Sequence, residues 1–413
     1  MSEQQVEHLF RHKYGKLVAL LLRKFGIQHL ETVEDAVQWS MAQALDVWSK
    51  ENIPSNPSAW LYQVAHRYLL SELRAKKSKK LLLTQYSMIE DVSVSNDKEA
   101  SFSSEMNNSM LRMLFIACHE KIPVESQLVF TLKSLCGFSI REISLRLFIS
   151  QANVYKRFSR AKNFLKDKNT DLNTLTDAEI IDRIPAIHHV LYLLYTEGYL
   201  SSHDDKAIRQ DLCDEAIRLL TLLIDSKFGH LPNSKALLAL MYFHSARINS
   251  RKDECGLLLL LEQQDRSKWN EQQITLGLAL LEQSAVGDNI SRYHIEAGIA
   301  AEHCLSSSFQ QTRWDNIIAS YELLDRIAPS PIHIINRAIA TAEWKGPHEG
   351  LAVLNVENIP SWLSSSYYWY AAKADLYFRC GDAINGNAYA TLAISAAPTD
   401  HIKSVLTQRL TKR

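Results

Sequence analysis

From end to end this chain spaces its apolar residues at three- and four-residue steps. It has few residues able to interrupt that spacing, 13 glycines and 10 prolines in 413 positions. Such spacing gathers apolar side chains on one face of a helix, whereas a half-buried strand needs strict alternation. The sequence offers no convincing strand alternation and no hairpin signal. The expected fold class is therefore all-α. A chain that is 46% hydrophobic can bury full cores, and its length suits two or three domains.

Punctuation divides the chain into four segments. Residues 1–83 form a first helical block. Val6, Phe10, Leu17, Leu21 and Phe25 lie on one helix, stopped by Gly26. Val33, Val37, Met41 and Ala44 follow on a second, and Trp60, Leu61, Val64, Tyr68 and Leu69 on a third, opened by Ser58. Residues 84–108 have five acids against one lysine and little that builds a core, so they read as a flexible acidic linker. Residues 109–168 make a second compact block, and residues 169–413 a long helical array. Charge is uneven along this order. Residues 1–170 hold 24 basic and 17 acidic residues, and residues 171–413 hold 22 and 29. A basic front joined to an acidic rear suggests a nucleic-acid module attached to a part that does not touch nucleic acid.

The second block ends in GFSIREISLRLFISQANVYKRFSRAKNFL, residues 137–165. Ser139 and Glu142 have the spacing of a capping box. Ile140, Ile143 and Leu147 make one apolar face, Phe148 and Ile149 fill a turn, and Ser150 caps a second helix. Val154, Phe158, Ala161 and Leu165 turn inward there. Tyr155, Lys156, Ser159, Arg160 and Lys162 are left outside, with Arg157 beside them. A helix-turn-helix whose second helix is basic suits the DNA major groove.

Two helical blocks, a linker and a terminal helix-turn-helix resemble the extracytoplasmic-function sigma factors of bacterial RNA polymerase. ETVEDAVQWSMAQALDVW (31–48) resembles the polymerase-binding segment of sigma domain two. NPSAWLYQVAHRYLLSELRAKK (56–77) resembles its helix for melting and reading the minus-ten element. CHEKIPVESQLVF through KNFL (118–165) resembles sigma domain four, which reads the minus-thirty-five element. The resemblance implies core RNA polymerase and promoter DNA as partners. It implies polymerase contacts at Asp35, Gln38, Gln43 and Asp46. Minus-ten contacts would fall on Asn52, Asn56, Tyr62, His66, Arg67 and Arg74, and minus-thirty-five contacts on Tyr155, Lys156, Arg157, Ser159, Arg160 and Lys162. Arg160 is the expected base reader, because guanidinium pairs with guanine in a bidentate way. Trp60 is expected in the core. Family members often carry arginine in place of Tyr155 and aspartate in place of Ser71, so the promoter sequence does not transfer.

The rear array, from VLYLLYTEGYLSS (190–202) to SPIHIINRAIATA (330–342), resembles the large C-terminal extension of one sigma subgroup, of tetratricopeptide-like build. The family motif has Phe and Asn where this chain has Tyr195 and Thr196. Ala374, Tyr377, Gly381, Gly386, Ala393 and Pro398 follow repeat-like spacing, and Trp314 to Gly346 reads as two helices around a Pro-Ser-Pro turn. Polar residues cluster between the helices: Glu197, Arg209, Asp211, Glu215 and Arg218, then Glu262, Asp265, Arg266 and Trp269. They make either a buried ion-pair network or a site for a protein or small ligand. The attached domain is expected to regulate the factor. A helix-turn-helix regulator with a ligand-sensing rear domain, outside the polymerase, stays open as the alternative.

Other classes find little support. The six cysteines form no C-x-x-C pair and read as reduced residues of a cytoplasmic protein. His8 and His12, and the adjacent His188 and His189, lack ligands at metal-site spacing. No phosphate-binding glycine loop or nucleophile elbow occurs, so neither an enzyme nor a cofactor is expected. The longest apolar run, Gly256 to Leu261, is too short to span a bilayer.

Overall fold

The computed structural model describes residues 3–48, 54–79, 96–147, 149–167, 175–199, 209–228, 231–253, 259–287, 290–355, 359–398 and 400–410. Among them every regular element is helical and none is a strand, as the spacing predicts. The chain forms two compact units, Met1–Leu193 and Leu194–Arg413.

In the first unit, helix α1 (Glu3–Phe25) buries Leu17, Val18, Leu21 and Leu22 completely. Gly26 stops it with φ 92°, a conformation that glycine adopts without strain. Helices α2 (Leu30–Val47) and α3 (Pro57–Lys79) pack on each other and on α1. The start of α3 differs from expectation. The Ala59 N–H donates to Asn56 Oδ1 at 2.9 Å, so Asn56 caps the helix in place of Ser58.

Helix α4 (Asn96–Ala117) also packs along α1. This corrects the reading of residues 84–108 as linker: from Asn96 onward that segment is helical. Its polar composition hid a sparse apolar stripe, and Met106 and Met110 are buried. Packing of that stripe stabilises the helix where propensity alone is weak. Residues 84–95 lie outside the described residues.

Helix α5 (Val124–Phe130) continues into a π-turn, Thr131–Leu135, and then come α6 (Ile140–Leu147), α7 (Gln151–Asp167) and α8 (Asp177–Tyr199). The first block and the second are in direct contact. Gly15 of α1 sits against the Leu135 carbonyl with no room for a Cβ, so only glycine allows the approach.

In the second unit, α9 (Gln210–Ile224), α11 (Glu271–Ser284) and α12 (Arg292–Leu305) pack around α10 (Pro232–Ser245). The run Ala236 to Met241 in α10 is buried on every side, as expected of a helix that is apolar all round. Among the described residues between α10 and α11 are three short 3-10 turns, Ile248–Ser250, Leu261–Gln263 and Arg266–Lys268. Seven helices follow: α13 (Trp314–Ile327), α14 (Pro331–Lys345), α15 (Pro347–Leu354), α16 (Ser361–Ser364), α17 (Tyr367–Arg379), α18 (Ala383–Ser395) and α19 (Asp400–Leu410). The two helices read around the Pro-Ser-Pro turn are α13 and α14, which pack together. Small residues mark the α17–α18 crossing: a Cβ on Gly386 would lie 2.6 Å from Phe378 Cδ1, and Tyr377 stacks on Tyr389 at 5.4 Å.

Candidate nucleic-acid interface

The helix-turn-helix is built from the residues that the sequence marks for it. The Ser139 N–H donates to Glu142 Oε2 at 2.7 Å, and the Glu142 N–H returns to Ser139 Oγ at 3.1 Å. This reciprocal box satisfies donors that the first turn of α6 leaves open. The Ser144 hydroxyl donates to the Ile149 carbonyl at 2.8 Å across the turn, and Ser150 Oγ accepts the Asn153 N–H at 3.2 Å to start α7. Phe148 lies outside the described residues. Val154, Phe158, Ala161 and Leu165 are buried, and Phe158 stacks on Phe130 of α5 at 5.7 Å. The packing aims the opposite face of α7 at solvent. Tyr155, Lys156 and Arg160 are exposed there; Arg157 and Ser159 are half-buried beside them.

Lys162 does not stand free. Its ammonium meets Glu31 Oε1 of α2 at 2.5 Å, and only 15% of its side chain is exposed. Glu31 is one of two residues the sequence reading passes over. The other is Glu34, buried on the inner face of α2, where it accepts from Lys133 Nζ at 3.2 Å and Ser134 Oγ at 3.0 Å. Burial raises the Glu34 carboxyl above its ordinary pKa; Lys133 pulls the other way. Nothing in single-helix periodicity marks these two acids, since both partners come from the second block.

On the outer face of α2, Asp35, Gln38 and Asp46 are exposed and Gln43 is half-buried. Three apolar side chains share that exposure: Trp39 at 47%, Leu45 at 61% and Val47 at 56%. The signal for Trp39 was available, because positions 35, 38, 39, 42 and 46 follow helical steps along one stripe. An acidic and amide face interleaved with exposed apolar groups suits a protein partner.

The minus-ten candidates are not brought together as one open surface. Asn52 lies outside the described residues. Asn56 Oδ1 is engaged as a helix cap. Tyr62 stacks on His66 at 5.6 Å and meets Phe102 of α4 edge-on at 5.5 Å. Burial pushes the Tyr62 phenol up to about 12. Phe25 packs on the same histidine at 5.5 Å. Tyr62 is thus partly covered by the helix that replaces the expected linker, and His66 by Phe25 of α1. Arg67 and Arg74 remain exposed on α3. Trp60 is half-buried against Trp48, and the accessible aromatic pair is instead Trp39 on Tyr68, stacked at 5.5 Å.

In the second unit, the polar residues grouped by sequence make several separate contacts. Glu215 and Arg218 pair at 2.6 Å. Asp265 accepts the Ser267 N–H at 3.0 Å, and Arg266 donates to the carbonyls of His303 and Ser306 at 2.6 and 2.7 Å. Among the described residues no group of three His, Cys, Asp or Glu is disposed to hold a metal, and the five described cysteines are free thiols. No described helix is long and apolar enough to cross a membrane.

Comparison with known proteins meets this geometry at three places. Residues 9–79 match sigma-70 region 2, and residues 112–165 match sigma-70 region 4. Residues 183–285 match a family described as of unknown function, DUF6596. An uncharacterized protein of Rhizobium meliloti (strain 1021) is 30% identical over 382 residues, which cover 91% of this chain and 88% of the relative. No solved structure matches.

Proposed function

Because this chain belongs to the sigma-70 factors of RNA polymerase, carrying their regions 2 and 4, we propose that it directs core polymerase to a subset of promoters as an extracytoplasmic-function factor with a tetratricopeptide-like extension. The outward face of α7 carries this reading: Tyr155, Lys156 and Arg160 exposed over a packed apolar base. Arg160 reads a base of the minus-thirty-five element, and Lys156 and Arg157 hold flanking phosphates. The face of α2 that carries Asp35, Gln38, Gln43 and Asp46 docks on polymerase. Arg67 and Arg74 meet the strand opened at the minus-ten element, with Trp39 and Tyr68 as the aromatic surface for an unstacked base. The protein positions and opens DNA and performs no bond chemistry of its own.

Two features support regulation by rearrangement. Lys162 is engaged by Glu31, and α4 covers Tyr62. Both limit DNA contacts in this conformation, and the C-terminal unit governs its release. The test is run-off transcription from a genomic promoter library, with core polymerase and the full-length chain. Initiation at defined starts that is lost with Arg160→Ala is the expected result. A chain that copurifies with no polymerase and starts no transcript overturns the proposal.

A further inference from the structure

The second unit gathers three guanidinium groups that pair with no carboxylate among the described residues. Arg247 and Arg251 follow α10, on either side of the turn Ile248–Ser250, and are only 8% and 7% exposed. Arg266 comes from the 3-10 turn ahead of α11 and is half-buried. Trp269 joins two of them, with the Arg266 Cζ 4.5 Å and the Arg247 Cζ 5.2 Å from its ring centre. Arg251 lies 3.8 Å over the Tyr199 ring, and Tyr199 packs on His244 at 4.7 Å.

Their hydrogen bonds go to neutral oxygens. Arg247 donates to Gln264 Oε1 at 3.3 Å, Arg251 to the Tyr199 carbonyl at 2.5 Å, and Arg266 to the His303 and Ser306 carbonyls. Among the described residues no carboxylate pairs with any of the three. Asp265, beside Arg266 in the chain, is engaged by Ser267 and Lys268. Buried cations normally have a counter-charge, because desolvation is unfavourable without one.

Two unmet donors sit in the same place: Arg266 Nη2 and Trp269 Nε1 are enclosed and have no hydrogen-bond partner. Trp269 itself is 6% exposed. Burial, and then the field of Arg247, press His244 and His303 down to about 3, so they are neutral and add no competing cation. Among the described residues, the three cations therefore meet no counter-charge.

We propose that the second unit binds a small oxyanion, a phosphate or carboxylate group, through Arg247, Arg251 and Arg266, with Trp269 Nε1 as a further donor. Planar guanidinium forks match either group. Arg266, the half-exposed member, is the one an incoming anion meets first.

The test uses the full-length protein and two probes, inorganic phosphate and succinate, titrated against sodium chloride of equal ionic strength and read by calorimetry. Saturable heat with at least one probe is expected, and the stronger of the two assigns the group. Arg266→Gln should raise that Kd by at least roughly tenfold, since it removes a charge-assisted fork. Arg326→Gln, at an exposed site on α13, should bind as the parent does. Circular dichroism checks that the Arg266 variant is folded; if it is not, Arg266→Lys takes its place, keeping the charge without the fork, and is expected to bind more weakly. No heat beyond chloride with either probe, or unchanged affinity in a folded Arg266 variant, overturns the proposal.

Discussion

The carboxylate of Glu31, in the first turn of α2, holds the ammonium of Lys162 on α7 at 2.5 Å. One element expected on polymerase thus grips one expected on DNA. The two ends differ in environment, with Glu31 63% exposed and Lys162 15% exposed. The pair is therefore solvent-screened, and such pairs contribute about 0.2–1 kcal/mol. Glu31→Gln should release Lys162 and tighten promoter binding about two- to fivefold at low salt. The gain should fade as salt rises, because screening removes the attraction that the mutation removes. Fluorescence anisotropy with a labelled promoter duplex measures this. Weaker binding by the variant would mean that the pair does not restrain the helix.

Arg160 and Arg157 separate base reading from phosphate holding. Arg160 is exposed at the centre of the outward face, and Arg157 is half-buried at its edge. Arg160→Ala should lose about 1–3 kcal/mol for the preferred minus-thirty-five sequence and much less for a scrambled one. Arg157→Ala should weaken both alike and lower the salt slope by about one. Competition binding with the two duplexes at several salt concentrations distinguishes the roles. Equal losses from both sequences with Arg160→Ala would move base reading elsewhere.

The helical class, the caps at Ser139, Glu142 and Ser150, and the buried stripe of α7 were legible because each depends on neighbours within four residues. The α13–α14 pair was legible for the same reason. What stayed hidden depends on distant partners. Residues 96–108 look like linker until α1 supplies a surface for Met106. Asn56 looks like a base-capturing amide until Pro57 starts a helix beside it. Arg247 and Arg251 are four positions apart in a turn, yet the third cation and the shared indole come from residues 266 and 269. No local spacing encodes that meeting.

Lys133 and Glu34 join the two blocks of the first unit through a pair that is largely out of water, with side chains 15% and 7% exposed. Removing the cation alone strands the carboxylate. Lys133→Met should destabilise the first unit by about 3 kcal/mol, and Lys133→Met with Glu34→Gln should recover most of that loss. Glu34 has a raised folded pKa, so the folded state takes up its proton before the unfolded state does. Its contribution is fully present below the unfolded value and is lost as pH rises through the folded one. The single Lys133 variant should therefore regain stability on mild acidification, as its acid is raised further. Urea titrations at pH 7 and pH 5 on the three proteins measure both effects. A double variant no more stable than the single one would show that packing, and not the stranded charge, sets the loss.

His188 gives the first unit a pH dependence of the opposite sign. It is 3% exposed in α8, and burial pushes its imidazole down from 6.5 to about 4. Below pH 6.5 the unfolded chain accepts a proton that the folded chain refuses until about pH 4. Stability from this group is present above the unfolded value and falls as pH drops through that window. Between pH 7 and pH 5 the loss amounts to about 2 kcal/mol for one histidine. His188→Gln keeps a polar side chain and cannot titrate, so the fall over this range should shrink by that amount relative to the parent, whatever the variant's stability at pH 7. Because the chain has two compact units, the measurement is hydrogen exchange at amides in the Ile184 to Val190 stretch of α8, which reports opening of this helix alone. An identical loss of protection in parent and variant from pH 7 to pH 5, after correction for intrinsic exchange, would rule His188 out as its source.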